Sequence, residues 1–323
     1  MIINILFIIL GLILLVIGAD LLVRGASNIA KRFHIPEILV GLSIVAIGTS
    51  MPELIITVNS AKSSAIDLII GNSIGSDLCN LLFILGTMAL IKPITITKET
   101  KNLHIPVAFA STVIILCMCF GLFGSEPGVI NNIDGIFLIT LFLLYLAYPI
   151  IIEIKDIVET YKENKKNHIK PDKKTNMFLS VALIIIGCVL LKYGGDFVVN
   201  NSINIAEIYN ISQRVIGLTI IALGTALPEF ITSIVSIVTK NTDLAVGNLI
   251  GSSVLNSFLI LGLGSLITPL SISQEFNKNL ILLTLSTLMI WLFMYIPKKS
   301  TLTRWKGIIL VFIFFLYIFL LFR

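Results

Sequence analysis

Long apolar stretches recur along the chain and are separated by short polar connections. An α-helix needs about 20 apolar residues to cross the hydrocarbon core of a bilayer. Ten stretches approach or exceed that length, at 3–30, 37–61, 66–90, 102–123, 130–152, 177–205, 211–238, 243–267, 278–296 and 304–322. Because these stretches are long and do not alternate with polar residues, they favour helices over a β-barrel. The pattern predicts an all-α polytopic membrane protein with ten transmembrane helices.

One long polar segment, 153–175, leaves five predicted spans on each side. We therefore predict a first five-helix unit at 1–152, a linker at 153–175 and a second five-helix unit at 176–323. Of all residues, 56% are hydrophobic and only 13% are charged, which is about half the charged fraction of a soluble domain. The positive charges lie mostly in the connections, which indicates membrane topology and not a nucleic-acid partner.

Lysine and arginine are concentrated on one side of the predicted membrane. With the N-terminus outside, the inner connections hold 17 of the 23 Lys and Arg residues, and the outer connections and the C-terminus hold four. Basic residues favour the cytoplasmic side of a membrane protein. The bias predicts a multi-pass protein of the cell membrane with both termini outside and the 153–175 linker in the cytoplasm.

The two halves share a motif that recurs after 176 residues. The first copy, at 46–80, contains AIGTSMPE and GNSIGSDLCN, and the second copy, at 222–256, contains ALGTALPE and GNLIGSSVLN. Five spans is an odd number, so the second copy is expected to enter the membrane upside down relative to the first. Inverted repeats in secondary transporters place the substrate site at the repeat interface, near the bilayer midplane.

Each copy carries a glutamate directly after a proline in the middle of a predicted span. Pro52 lacks an N–H and disfavours helix in the preceding residue, so we expect a break near 49–51 with Pro52 in the first turn of a new half-helix. The break should free carbonyls around 46–48 for a cation and place Glu53 at the positive end of the half-helix dipole. The second copy repeats this pattern with Ala222, Thr225, Pro228 and Glu229.

Oxygen-bearing side chains follow at helical spacing in the next span of each copy. They form one stripe in the first copy and an equivalent stripe in the second: Asn72, Ser76 and Asn80, and Asn248, Ser252 and Asn256. With the two glutamates, the copies offer carboxylate, hydroxyl, amide and carbonyl oxygens, a set that suits hard cations such as Ca²⁺. No Cys or His belongs to this set of oxygen-bearing residues, which argues against zinc and copper, and no resident cofactor is expected.

Other interpretations apply to several of these residues. A buried glutamate can pair with a basic residue, but no Lys or Arg lies near Glu53 or Glu229 in its own span. The serines and asparagines can instead form hydrogen bonds between helices. Asp77 lies one residue off the stripe and has Ser253 as its counterpart, so its part in an ion path stays open. The three histidines, in connections or at span ends, are expected at the surface: His34, His104 and His168.

The two motifs are similar to the α-repeats of the calcium/cation antiporter superfamily and resemble those of its prokaryotic sodium/calcium exchangers. The resemblance covers nearly the whole chain, because that family also has ten spans in two inverted halves. It implies that Glu53 and Glu229 are the central ion ligands. It also implies that Thr49 and Thr225 join them at the calcium position.

The same resemblance implies two sodium positions that flank the calcium position. One would be formed by Ser50, Ser76 and the carbonyl of Ala222. The other would be formed by Ser252 and the carbonyl of Ala46.

Two features depart from the family pattern. Ala226 stands where the first copy has Ser50, so one flanking position loses a hydroxyl. Some family members have an aspartate at the position of Asn80 or Asn256, whereas both are asparagines here. Two ionised carboxylates would be neutralised by one Ca²⁺, two Na⁺ or two protons.

The sequence thus predicts a secondary active antiporter, and not an enzyme, that exchanges Ca²⁺ for Na⁺ by alternating access. Coupling to H⁺, or an added dependence on K⁺, is the alternative, and the missing hydroxyl at Ala226 is its main support. A passive channel usually repeats its filter by oligomerisation, whereas this chain holds two inverted copies and is expected to work as a monomer in the lipid bilayer. An intramembrane enzyme is disfavoured because the spans carry neither an H-E-x-x-H motif nor a Ser/His dyad.

Overall fold

The computed structural model describes residues 2–33, 35–63, 65–121, 127–166, 176–209, 222–296 and 300–321, and these are almost entirely helical. The helices of the first half are α1 (Ile2–Phe33), α2 (Glu37–Thr49), α3 (Met51–Lys62), α4 (Ile66–Ile91), α5 (Thr100–Cys119) and α6 (Asn132–Lys166). Those of the second half are α7 (Met177–Ile208), α8 (Ala222–Thr225), α9 (Leu227–Val238), α10 (Thr242–Ile267), α11 (Gln274–Phe293) and α12 (Arg304–Leu321).

Eight helices of the described part are long and apolar enough to cross a bilayer, and the bent pair α2–α3 makes a ninth if it is one span. The predicted class, an all-α multi-pass membrane protein, is therefore confirmed. The predicted seventh span, 211–238, corresponds to α8 and the shorter apolar helix α9, and its part at 211–221 lies outside the described residues. Helix α6 continues to Lys166, well into the segment predicted as a linker.

Helices α4 and α10, which carry the second half of each motif, form the interior of the molecule. Their most apolar windows are 72% and 78% buried, whereas those of α1, α7 and α12 are only 22% buried. The outer helices expose large apolar side chains such as Ile13 and Phe312, which are 50% and 66% exposed. In a bilayer these side chains would face lipid tails, so the polar motifs are enclosed by an apolar shell.

Helices α1 and α7 pack in close backbone contact through glycines. A Cβ atom added to Gly18 would lie 2.9 Å from the carbonyl oxygen of Gly187, and one added to Gly187 would lie 2.8 Å from that of Gly18. Gly11 and Gly194 approach each other in the same way, at 2.7 and 2.8 Å. Small residues allow helices in a membrane to come this close, so α1 and α7 form one tightly packed pair.

Two short antiparallel strand pairs join connections from the two halves. Strand β1 (Ile94–Thr95) pairs with β4 (Thr301–Leu302), and β2 (Val129–Ile130) pairs with β3 (Leu270–Ser271). Lys306, fully buried, donates from Nζ to the carbonyls of Phe293 and Thr301 and so holds the β4 connection against the end of α11.

His104 is not a surface residue, so the expectation for this histidine is wrong. It is 0% exposed, and its Nδ1 lies 3.2 Å from the Tyr145 hydroxyl of α6. Its Nε2 lies 3.6 Å from a carboxylate oxygen of Glu99. The first turn of α5 packs inside the bundle, which its position at a span end does not reveal. His34 and His168 lie outside the described residues.

Candidate cation site between the two broken helices

Both predicted helix breaks are present, at the expected residues. Helix α2 ends at Thr49, Ser50 has φ −85° and ψ 11°, and α3 begins at Met51 with its axis turned by 48°. In the second copy, α8 ends at Thr225, Ala226 has φ −83° and ψ 0°, and α9 begins at Leu227. Each proline lies in the first turn of its new helix, where a missing N–H removes no intrahelical bond.

The carbonyl of Ala46 is not freed by the break, in contrast to the expectation. It accepts the backbone N–H of Ser50 at 3.0 Å and lies 3.4 Å from the Thr49 hydroxyl. In an α-helix each carbonyl accepts the N–H of the residue four positions later. Pro52 therefore removes the donor to the Gly48 carbonyl, whereas the Ala46 carbonyl keeps its donor, the N–H of Ser50. A carbonyl oxygen has two lone pairs, so Ala46 keeps limited capacity for a cation. Ala222 is the first described residue of the second copy and begins α8.

The two glutamates are buried in the first turns of α3 and α9. Glu53 is 1% exposed and Glu229 is 0% exposed. Ser76 donates to Oε1 of Glu53 at 3.3 Å, and Ser50 donates to Oε1 of Glu229 at 2.9 Å. The second oxygen of each carboxylate, Oε2, has no hydrogen-bond partner within the described part of the chain. No basic side chain there pairs with either glutamate, so the structural ion-pair interpretation has no support.

Hydroxyl and amide groups from both copies meet beside these carboxylates. The Ser50 oxygen lies 3.1 Å from the hydroxyl of Ser252, and Thr49 donates to Oδ1 of Asn248 at 3.1 Å. Thr225 is also buried, at 8% exposure. The predicted side chains of the first break are thus in direct contact with the second copy.

Asn80 and Asn256 occupy matching places at helix irregularities. Both are 1% exposed, and both lie in π-helical turns, Cys79–Ile84 in α4 and Asn256–Ile260 in α10. The Oδ1 atom of each has no partner among the described residues. Single π-helical turns often occur at functional sites.

Four buried carboxylate and amide oxygens of the two motifs therefore lack partners within the described part of the chain. They are Oε2 of Glu53, Oε2 of Glu229, Oδ1 of Asn80 and Oδ1 of Asn256. A buried acceptor without a partner costs about 1–3 kcal/mol, and more if it is charged. A cation can take the place of the missing partners, because Ca²⁺ accepts several oxygen ligands at once. Carboxylates supply two of the four and neutral amides supply the others, which is chemistry suited to Na⁺ or Ca²⁺.

Sequence reasoning missed several polar contacts next to this site. Asp77 accepts bonds from Asn256 and Ser257, and Ser73 donates to the backbone carbonyl of Asn256. The signal in the sequence is the four-residue spacing of Ser73 and Asp77, which forms a second stripe beside that of Ser76. Further buried hydroxyls without a described partner continue from the glutamates along α3 and α9, at Thr57, Thr232 and Ser236.

The comparisons with known proteins agree on one family. The family profile described as "Sodium/calcium exchanger protein" matches residues 3–151 and 179–323. The uncharacterized membrane protein MJ0091 of Methanocaldococcus jannaschii is 32% identical over 312 residues, which cover 96% of this chain and 95% of that protein. The sodium/calcium exchanger MaX1 of Methanosarcina acetivorans is 27% identical over 348 residues, which cover 99% of each protein.

A solved structure has the same overall fold. The structure of the sodium-calcium exchanger NCX_Mj soaked without Na⁺ and Ca²⁺ superposes with a TM-score of 0.82 at 30% sequence identity, and the alignment covers 99% of each chain. The profile match alone spans most of this chain, and the structural match includes both broken helices. The chain therefore belongs to the sodium/calcium exchanger family.

Proposed function

We propose that this family member exchanges Na⁺ for Ca²⁺ at one enclosed site between Glu53 and Glu229, by alternating access. Antiport of these two ions follows from the family to which the chain belongs. The observation that supports the site is the pair of buried glutamates from opposite copies. Each has one oxygen bonded to a serine and the other without a partner among the residues that the structure describes.

We further propose that Na⁺ and Ca²⁺ compete for overlapping ligands. The two carboxylates balance one Ca²⁺ or two Na⁺, and a load of three Na⁺ would leave one positive charge in excess. The proposed ligands are the two glutamates with the hydroxyls, amides and carbonyls around them: Ala46, Thr49, Ser50, Ser76, Asn80, Ala222, Thr225, Ser252 and Asn256. Competition for one site couples the ions, because neither can occupy it while the other is bound.

The two halves are proposed to be inverted repeats of five spans each. Under the 176-residue shift, Gly11 corresponds to Gly187 and Gly18 to Gly194. Exchanging the copies therefore converts the Gly11–Gly194 contact into the Gly187–Gly18 contact. The β1–β4 and β2–β3 pairs also exchange, because β1 corresponds to β3 at a shift of 176 residues and β2 corresponds to β4 at a shift of 172 residues. This reciprocity supports a two-fold relation between the halves, as in inverted-repeat transporters.

The proposed orientation places both termini outside and the 153–175 linker in the cytoplasm. Ten alternating spans put the β1 and β4 connections inside, and the β2 and β3 connections outside. Each strand pair therefore joins connections assigned to the same side. The inner side is also the one with most Lys and Arg residues, which agrees with the positive-inside preference.

Alternating access is proposed to involve movement of α1 and α7 together. Their glycine contacts make them one unit, and their most apolar windows are only 22% buried, so they lie at the periphery of the bundle.

Because both copies of the site motif lie in one chain, we propose that the monomer is functional. The family profile and the superposed exchanger structure name sodium and calcium, which favours this pair over coupling to H⁺ or K⁺.

The test is calcium uptake into liposomes that contain the purified protein. Uptake should follow an outward Na⁺ gradient, stop when Na⁺ is replaced by choline, and be insensitive to K⁺. A proton gradient of equal size, applied without Na⁺, should drive no uptake. Uptake that follows the proton gradient and ignores Na⁺ would contradict the proposal. Protein-free liposomes and a Glu53→Gln variant serve as controls for leak.

A further inference from the structure

A third buried carboxylate, Asp77, lies beside the proposed site and is not among its proposed ligands. It is 1% exposed, and both of its oxygens are engaged by α10. Oδ1 accepts from Nδ2 of Asn256 at 2.9 Å, and Oδ2 accepts from the hydroxyl of Ser257 at 3.2 Å. Unlike Glu53 and Glu229, Asp77 therefore presents no unpartnered oxygen to a cation.

The bond to Asp77 determines which end of the Asn256 amide is available to an ion. With Nδ2 tied to the carboxylate, Oδ1 is directed elsewhere and has no partner in the described part of the chain. In the flipped amide, Oδ1 would face the acceptor oxygen of Asp77, and Nδ2 would take the place of the unpartnered oxygen. An amide NH₂ donates hydrogen bonds and does not bind a cation.

Helix α4 also holds the backbone of the same asparagine. The Ser73 hydroxyl donates to the carbonyl oxygen of Asn256 at 3.0 Å. Ser73 and Asp77 are four residues apart and so lie on one face of α4. Asn256 opens a π-helical turn, Asn256–Ile260, where the regular bonding of the helix changes. The side chain and the backbone of Asn256 are thus both fixed by the first copy.

The second copy does not carry the residues that would hold Asn80 as Ser73 and Asp77 hold Asn256. The 176-residue shift places Leu249 at the position of Ser73 and Ser253 at the position of Asp77. Ser253 is buried, and its single hydroxyl lacks the second acceptor oxygen of the Asp77 carboxylate. The two asparagines at the site are therefore not equivalent, although their sequence positions are.

We propose that Asp77 is a positioning residue that holds the Asn256 amide with Oδ1 toward the transported cation. The inference rests on the proposed function, because it assigns Asn256 to the ion site. Asp77 acts through Asn256 and does not itself bind the ion.

The test compares variants at Asp77 in the liposome exchange assay. Asp77→Ala should raise the half-saturating Ca²⁺ concentration about tenfold and leave the rate at saturating Ca²⁺ near wild type, because the amide is released but still present. Asp77→Asn retains an oxygen that accepts from Asn256, so it should stay within about threefold of wild type. If Asp77 were an ionic ligand, both variants would be equally impaired. Asp20→Asn, at a partly exposed carboxylate that pairs with Arg24 on its own helix, is the control and should be unchanged.

A double variant tests whether Asp77 acts through Asn256. In an Asn256→Ala background, Asp77→Ala should add no further rise in half-saturating Ca²⁺, whereas independent effects would multiply. Multiplied effects, or a wild-type value for Asp77→Ala, overturn the inference. If Asp77→Ala is not recovered as a folded monomer, the inference is tested with Asp77→Asn and Ser73→Ala instead. Ser73→Ala should raise the half-saturating Ca²⁺ concentration about threefold, and a wild-type concentration for this variant would then overturn the inference. Failure of the wild-type protein to exchange would refute the proposed function instead.

Discussion

The Ser50 hydroxyl, at the first helix break, donates to the Glu229 carboxylate at the second break over 2.9 Å. The reciprocal bond cannot form, because Ala226 occupies the position equivalent to Ser50. Ala226 is 2% exposed, so the missing hydroxyl leaves no room for bulk solvent to replace it. The two sides of the site differ in this hydroxyl and in the contacts of Asp77 and Ser73 with Asn256.

Ala226→Ser should therefore strengthen Na⁺ binding. By the two-fold relation, the new hydroxyl would lie beside Glu53, whose Oε2 has no described partner. We expect the half-saturating Na⁺ concentration to fall by about threefold or more, because the hydroxyl oxygen adds a ligand to the flanking Na⁺ position; a threefold change corresponds to about 0.65 kcal/mol. The measurement is Na⁺-dependent Ca²⁺ release from loaded liposomes at varied Na⁺. Ala226→Cys, which adds similar volume without a good cation ligand, is the matched control.

Glu53→Gln and Glu229→Gln should each reduce the initial exchange rate by at least about 100-fold. Each substitution keeps the shape of the side chain but removes one of two buried negative charges, and an uncompensated buried charge costs about 3–5 kcal/mol. Asp20→Asn is the control, since Asp20 is a partly exposed carboxylate paired with Arg24 on its own helix. A Gln variant that exchanges at the wild-type rate would show that the glutamate is not a central ligand.

Much of the fold follows from the hydropathy pattern, because a span in lipid that is not part of a β-barrel must be a long apolar helix. The first span is predicted at 3–30 and the helix runs Ile2–Phe33, and the eighth is predicted at 243–267 and the helix runs Thr242–Ile267. The end of α6 is not predictable in this way. Its extension to Lys166 is rich in Glu and Lys, which are good helix formers but too polar for the interior of a membrane. Hydropathy predicts where a chain crosses the membrane and does not predict helix that continues beyond it.

The site was harder to predict than the fold. Proline chemistry identifies the breaks at Ser50 and Ala226, and spacing places Ser76 and Asn80 on one stripe. Spacing assigns a residue to a face of its own helix and does not say which helix that face meets. The bond between Ser50 and Glu229, and the contact of Asp77 with Asn256, depend on how the two copies pack together.

Pro52→Ala should impair transport without destabilising the fold. Alanine restores an N–H that can bond to the Gly48 carbonyl, which favours a continuous helix and reduces the 48° bend that brings Ser50 toward Glu229. We expect the initial exchange rate to fall about tenfold or more and the thermal unfolding temperature to be unchanged or higher. Pro149→Ala, in the interior of α6, is the matched control and should exchange normally. Equal rates for both variants would mean that the break is not needed.

Acidic pH should inhibit exchange by competition. A proton on Glu53 or Glu229 removes the negative charge that holds the cation, so lowering the pH should raise the half-saturating Ca²⁺ concentration while saturating Ca²⁺ restores the full rate. In the acidic limit the rise is about tenfold per pH unit if one proton competes and about a hundredfold if two compete. Initial rates over a grid of pH and Ca²⁺, with pH equal on both sides, give this slope. Asp77→Asn should keep the wild-type slope, because Asp77 is assigned a positioning role. A maximal rate that falls with pH at constant half-saturation would place the inhibitory proton outside the two glutamates.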